Sequence, residues 1–386
     1  MRSQFTLPDL PPVTALSRIS PSRFTALSEC ALRELLAASR NVPQLPQSPR
    51  AKLGQAAHVL IELAGKGTFR TKERPEIEAQ WSNVLSSIES AMEANWLERA
   101  LVPLKRSVSD YEVLRLRAVN KALAIAQRDF SSSREKPGPR VLFEQWVQTA
   151  DGLVGGLIDE VYESSEGIVI RDYKSGYILD HSDIESLSIR EEYMTQMHLY
   201  SALYKSSTGV WPSRLELIPT QGPGVNVPFD PAECERLLAR AVVLLTDLNE
   251  AIHRLAGDGT TKLALKLANP KSETCRFCSF RPSCTAYHQS AHETDGLWPN
   301  DVCGSVVDIL TLGNGRVNLK LMTENDQMVF VRGLDPRPER HPALILLKVH
   351  DELAIFNLGV GPGAASFRET QLTTIYRSER RVQPQK

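Results

Sequence analysis

The chain has 386 residues, 42% of them hydrophobic and 24% charged, with a net charge of −1. That composition excludes a disordered, collagen-like or coiled-coil chain, and the near-neutral charge excludes a uniformly basic nucleic-acid-coating protein. The length favours two or three domains. No apolar run approaches the ~20 residues of a bilayer span, and Met1 to Pro12 lacks the apolar core of a signal peptide. The expectation is a cytoplasmic protein whose six cysteines are reduced and which makes no membrane contact.

Residues 1–17 are Pro-rich and expected to be extended. Ser20-Pro21, a cap followed by Pro at the first helical position, opens a helix expected to run through Phe24, Leu27, Cys30, Ala31, Leu35 and Leu36. Pro43 to Pro49 interrupts the chain, and Ala51 to Leu63 reads as the next helix. Residues 72–136 carry Trp81, Val84, Leu85, Ile88, Met92 and Trp96 at helical spacing and read as a helical insert. Residues 98–140 hold 10 basic and 5 acidic side chains, which gives that insert a basic or merely solvated face. The period then changes. Val141–Gln148, Leu153–Glu163 and Ile168–Lys174 read as three strands of an antiparallel meander, turning at Asp151-Gly152 and at Ser164 to Gly167. Helices follow near 190–207 and 231–256, the second opening on Asp230-Pro231-Ala232-Glu233 as a capping box. Beyond Gly296 the helical pattern stops. Val306–Leu312, Arg316–Thr323, Met328–Gly333, Ala343–His350 and Leu353–Leu358 read as five short strands of a small barrel, OB-like in kind.

Two constellations carry chemistry. Asp172 and Lys174 are separated by one residue, so on a strand they share a face, and a hairpin brings Asp159 opposite them. Two carboxylates on one face hold a hard cation such as Mg²⁺, and the adjacent lysine orients water or steadies charge on a phosphate. Alone, this triplet is also what an ordinary charge-alternating surface strand looks like. The second constellation is Cys275-x2-Cys278-x5-Cys284, with Cys30 standing 245 residues upstream. Four thiolates at such spacing hold Zn²⁺ or an iron–sulfur cluster, and ligand type does not separate the two. Cys234 falls within the 231–256 helix and reads as core, Cys303 begins the C-terminal region, and both are spare to the set. The chain contains no G-x-x-x-x-G-K-[ST], so no P-loop is expected.

Gly156-Leu157-Ile158-Asp159, then Asp172-Tyr173-Lys174-Ser175-Gly176, then Gln196 to Tyr200 give a G-x-x-D strand, a D-x-K strand and a Q-x-x-x-Y helix. In this order they resemble the RecB-like branch of the PD-(D/E)xK nuclease superfamily. Gly54 to His58 is similar to that branch's G-x-x-x-H helix. The split cysteines resemble those of the iron–sulfur members, among them AddB and the CRISPR-associated RecB-like nucleases. The resemblance covers residues 18–290 and leaves 296–386 outside it. It implies an α/β restriction-endonuclease-like core and a Mg²⁺- or Mn²⁺-dependent nuclease acting on DNA, with single strands or ends favoured, in repair or anti-phage defence. It further implies that Asp159, Asp172, His58 and the carbonyl of Tyr173 hold the metal, Lys174 activates water, and Gln196 and Tyr200 position the substrate. Cys30, Cys275, Cys278 and Cys284 would hold [4Fe–4S] in preference to Zn²⁺, tying the first helix to the end of the core. Glu144 stands where many relatives carry an acid. A helicase or defence-system protein is the implied partner.

Arg23, Arg33 and Arg171 are candidate phosphate contacts. In the C-terminal region, which carries 11 basic and 11 acidic residues over 295–386, Phe330, Arg332, Phe356, Phe367, Tyr376, Arg377, Arg380 and Arg381 are candidates for a single-strand surface. Protein docking is the competing role for that region. Two other function classes compete with the enzyme: an iron–sulfur DNA-binding accessory subunit with a dormant site, and a zinc-stabilised scaffold.

Overall fold

A computed structural model of the protein describes residues 8–127, 140–174, 178–180, 188–220, 222–255, 260–291 and 297–377. Pro21 opens α1 (Pro21–Glu29), as expected of Pro after Ser20. The helix does not continue. Cys30 takes φ −154° and ψ 98°, closing α1 and capping α2 (Ala31–Ala38), so the expected single helix is two helices hinged on a cysteine. Then come α3 (Pro49–Gly65), α4 (Arg74–Ala94), α5 (Leu104–Ser107) and α6 (Tyr111–Ala126). The meander is β1 (Arg140–Gln148), β2 (Gly155–Ser164) and β3 (Gly167–Lys174). A small two-stranded sheet, β4 (Leu179–Asp180) with β5 (Ser188–Ile189), leads to α7 (Glu191–Thr208). Next are β6 (Arg214–Pro219), β7 (Val225–Val227), α8 (Pro231–Leu255), α9 (Thr260–Leu267), α10 (Ser272–Cys275) and α11 (Thr285–Ser290). Asp230 Oδ2 accepts the Glu233 N–H at 3.1 Å, which seats the start of α8.

The sheet order is β1-β2-β3-β6-β7. The three meander strands pair antiparallel, and β6 joins β3 in parallel after the α7 crossover. Neither β6 nor β7 was legible, since six and three residues between Pro212, Pro219 and Pro228 show no sustained alternation. One core fills the sheet face covered by α1, α2, α7, α8 and α9, with Val161, Ile170, Leu215, Met197 and Leu245 inside it. A second core lies between the other face and α3, α4 and α6, where Leu60, Trp81 and Val119 meet Tyr173 and Ile218 of the sheet. The segment expected as an insert is thus one layer of a three-layer α/β/α unit.

The C-terminal part consists of β8 (Asn300–Thr311), β9 (Val317–Thr323), β10 (Met328–Leu334), β11 (Glu352–Val360), β12 (Ser366–Arg368) and β13 (Thr374–Arg377). Strand order runs β12-β10-β9-β8-β11, and β12 pairs back onto β11, which closes the small barrel expected of an OB-like domain. Its β10–β12 pair is parallel and its other closing pairs are antiparallel. The expected strand Ala343–His350 does not form. Pro342 to Leu344 is a single tight turn, and Leu346 and His350 adopt φ of 53° and 70°, which breaks extended backbone.

Candidate active site

The site sits where β2 and β3 part. Their ladder runs from Ser164↔Gly167 to Glu160↔Arg171, one step short of Asp159 and Asp172. In place of a further rung, the Tyr173 backbone N–H donates to Asp159 Oδ2 at 2.7 Å. Asp172 and Lys174 share the face toward α7, as their spacing requires. Lys174 Nζ stands 2.7 Å from Asp172 Oδ2 and donates to Gln196 Oε1 at 2.7 Å, while Gln196 Nε2 donates to Asp172 Oδ1 at 2.8 Å. The three side chains close a ring between strand and helix. Tyr200, one turn along α7, lines the same cleft beside Gln196. The Tyr193 ring, one turn back, lies 4.6 Å from Lys174 Nζ. Tyr193 was missed, although its position three residues before Gln196 places it on the same helix face.

Burial and the neighbouring Asp172 carboxylate push Asp159 up to about 7, against the pull of the Tyr173 N–H and Lys174. Asp172 is 3% exposed, and its Oδ2 accepts no aligned hydrogen bond among the described residues despite the nearby ammonium. Two crowded carboxylates, one with a buried oxygen short of a donor, fit a divalent cation. His58 lines the same cleft from α3 but is itself exposed, and no group of three His, Cys, Asp or Glu side chains among the described residues is drawn together tightly enough to hold a metal ion. Asp159 and Asp172 are brought close enough for each charge to act on the other, and His58 lines the same cleft without completing a ready three-ligand group with them among the described residues. Glu144 also lines the cleft, with φ of 50° and its carboxylate held by Lys66 at 2.6 Å. Ser175 and Gly176 lie outside the described residues.

Gly156 of the G-x-x-D strand owes its identity to packing: a Cβ there would stand 3.0 Å from Pro21 Cδ and 3.4 Å from the Tyr200 ring. The cleft encloses about 1380 Å³ and is lined by Asp159, Asp172, Tyr173, Lys174, Gln196 and Tyr200 together. Arg18, Arg23, Arg50 and Arg190 also line it. Arg171, a candidate phosphate contact, points to the opposite face, where Glu160 and Glu216 hold it at 2.6 and 2.7 Å. Arg33 is likewise withdrawn, paired with Glu34 at 3.0 Å.

The four cysteines Cys30, Cys275, Cys278 and Cys284 line one cavity of about 20 Å³, together with Arg33 and Arg281. The Cys30 hinge between α1 and α2 supplies the first and the loops around α10 and α11 the others. Burial pushes Cys278 up to about 12 and Cys284 up to about 11. Cys234 is buried within α8 and Cys303 lies in the barrel strand β8.

A family model, the PD-(D/E)XK nuclease superfamily, matches residues 18–285. The chain belongs to that superfamily. The PD-(D/E)XK match takes in both helical layers and the whole five-stranded sheet, and it stops one residue after Cys284, leaving the barrel outside. The comparison with curated proteins finds no match. No helix among the described residues is long and apolar enough to cross a membrane.

Of the barrel residues named as a single-strand surface, Phe356 is fully buried. Tyr376 packs edge-on against Trp96 and Phe356. Both serve the junction with the nuclease unit, as burial of aromatic area favours. Phe330 is 38% exposed, flanked by Lys320 and Arg332. Arg377 is drawn to Asp351 at 2.8 Å, and Arg380 and Arg381 lie outside the described residues.

Proposed function

We propose that the protein is a metal-dependent deoxyribonuclease of the RecB-like branch, hydrolysing phosphodiester bonds in single-stranded DNA or at DNA ends. The observation that carries this reading is the closed ring of Asp172, Lys174 and Gln196 beside Asp159, lining a cleft of about 1380 Å³. Mg²⁺ or Mn²⁺ held by Asp159 and Asp172, with His58 and the Tyr173 carbonyl as further candidate ligands, supplies Lewis acidity at the phosphate and acidifies a water. Lys174 holds a fixed positive charge next to that position, so it steadies the charge that develops on the phosphate or orients the attacking water. Gln196 is a positioning residue, since its amide oxygen fixes Lys174 and its amide nitrogen fixes Asp172. Tyr200 lines the cleft one turn farther along the same helix, where it faces the substrate. Arg23 and Arg190 supply cleft charge that contacts phosphate without reading sequence.

In the same reading the four cysteines hold a [4Fe–4S] cluster, with Zn²⁺ as the alternative. What supports this is that all four cysteines, from Cys30 near the start of the nuclease unit to Cys284 near its end, line one cavity. Such thiols bind as thiolates and release protons on loading. The working division is a nuclease domain over 18–290 and a barrel over 296–386, acting in repair or anti-phage defence beside a helicase or defence-system protein. The test is incubation of anaerobically purified protein with labelled DNA and Mn²⁺. The parent is expected to cut, while Lys174→Ala and Asp172→Asn are not. Equal cutting by all three overturns the assignment of the site.

A further inference from the structure

Trp146 is held in place yet left open. It lies on β1 with 41% of its surface exposed and lines the same cleft as the two aspartates. Its indole N–H donates to Gln148 Oε1 at 3.1 Å, and the Arg18 guanidinium rests 4.7 Å from its ring centre. Arg18 is itself fixed, its Nε donating to the Gly152 carbonyl at 3.1 Å. An aromatic side chain that is only core filler is covered. One that is only exposed carries no such restraints. Trp146 has the restraints without the cover.

Its place along the strands gives the ring a direction. Trp146 pairs across the sheet with Leu157, which is 43% exposed, so the two make one apolar shelf. Asp159 stands two residues further along β2 and lines the same cleft as Trp146 and Leu157. Two strand residues span about 6.6 Å. That is the scale of one nucleotide in an extended single strand. Phe277 offers a second open ring: it is 72% exposed, lies in the loop between Cys275 and Cys278, lines the cleft, and has the Arg276 guanidinium 4.5 Å from its ring centre.

We infer that Trp146, backed by Arg18, is a stacking platform for an unpaired base one nucleotide from the scissile phosphate, and that Phe277 takes a second base farther along the cleft. Stacking of this kind needs bases that are free of a partner strand, so it makes the cleft selective for single-stranded DNA. A paired base has both faces covered by its neighbours and gains nothing from the shelf. This rests on the nuclease reading for the location of the scissile phosphate, but the platform itself is read without any cleavage.

The experiment is fluorescence anisotropy in EDTA with a labelled oligothymidine of about 12 nucleotides, a length suited to a single-strand groove, and with a blunt DNA hairpin of equal charge. Trp146→Ala is expected to lose about 10-fold to 100-fold in affinity for the single strand, the range of one stacked base. Trp146→Phe keeps a ring and stays within about 3-fold of the parent, and Phe277→Ala loses less than Trp146→Ala. The hairpin binds all variants alike. A melting curve for Trp146→Ala matching the parent shows that the loss is not unfolding. Parent-like single-strand affinity in Trp146→Ala, or an equal loss on the hairpin, overturns the inference. A chain that fails to cut DNA in Mn²⁺ counts against the nuclease reading alone, since the binding assay contains no metal.

Discussion

Lys174 has two short polar contacts, to Asp172 and Gln196, and lies over the Tyr193 ring, so little conformational freedom is left to it. On the proposed nuclease reading, removing it takes away fixed charge at the reacting phosphate. Lys174→Ala is expected to slow cleavage by about 10²–10³-fold with DNA affinity in EDTA nearly unchanged, measured by single-turnover cutting and anisotropy side by side. Asp159 gives a pH signature. Its ordinary value of 3.8 is raised to about 7 in the fold, so between those values the folded chain holds a proton that the unfolded chain has released. Its contribution to metal-free stability is therefore complete below pH 3.8 and lost as pH rises through 7. A divalent cation favours the ionised form, so the rise in Tm on adding Mg²⁺ should grow across that window and flatten in Asp159→Asn. A Tm difference independent of pH would count against the carboxylate pair as the cation's seat. The residues Asp159, Asp172 and Lys174 were legible because strand spacing alone puts the last two on one face. The bonds through Gln196 and the contact with Tyr193 were not, because they depend on how α7 settles on the sheet.

At the scale of elements, the break between α1 and α2 matters most. Apolar periodicity runs through Cys30 unbroken in the sequence, while in the fold its extended backbone breaks the helix and it lines one cavity with Cys275, Cys278 and Cys284. If the cysteines hold the proposed cluster, Cys30→Ser is expected to lose bound iron and its visible absorbance and to melt at a lower temperature, because metal binding couples to folding. Cys234→Ser and Cys303→Ser keep full iron content. Undiminished iron in Cys30→Ser would remove it from the ligand set. The contact of β2 with α1 and α7 is a second such element. Gly156→Ala places a methyl 3.0 Å from Pro21 and 3.4 Å from the Tyr200 ring, so α1 or α7 must shift. The expected cost is about 1–3 kcal/mol, read as a lower urea midpoint at unchanged m-value. Strand boundaries in the meander were readable from alternation and Gly turns. The tight turn at 342–344 was not, since left-handed backbone at Leu346 and His350 leaves an apolar run looking like a strand.

Across the whole molecule, the barrel is built into the nuclease unit. Arg281, 2% exposed, lies between Cys278 and Cys284, donates to the Cys278 carbonyl at 3.3 Å and pairs with Asp301 of β8 at 2.6 Å. Tyr287 donates to the same Asp301 at 2.7 Å, and Leu45 packs with Ala354 and Phe356 of β11. Asp301→Ala strands a buried guanidinium and is expected to cost about 3–5 kcal/mol, measured by denaturant unfolding. A paired Arg281→Met, Asp301→Leu replacement is expected to recover part of that loss, since no lone charge remains. A loss below about 1 kcal/mol in Asp301→Ala would mean that the junction is open to water. Cutting the chain near residue 296 would leave Arg281 without Asp301 and Leu45 uncovered, so a shortened protein should be less stable rather than indifferent. By itself the sequence determined what depends on short spacing: the β2–β3 turn, the shared face of Asp172 and Lys174, the helix starts at Pro21 and Pro231, and the close set of three cysteines. Each follows from the period of a strand or helix over a few residues. Only the tertiary structure decided what depends on long-range packing: that helices 49–126 form a full layer over the sheet, that Cys30 lines one cavity with Cys275, 245 residues away, that Arg171 faces away from the cleft, and that Phe356 and Tyr376 serve the junction. Those outcomes are fixed by which surfaces are buried against one another, and local period carries no information about that.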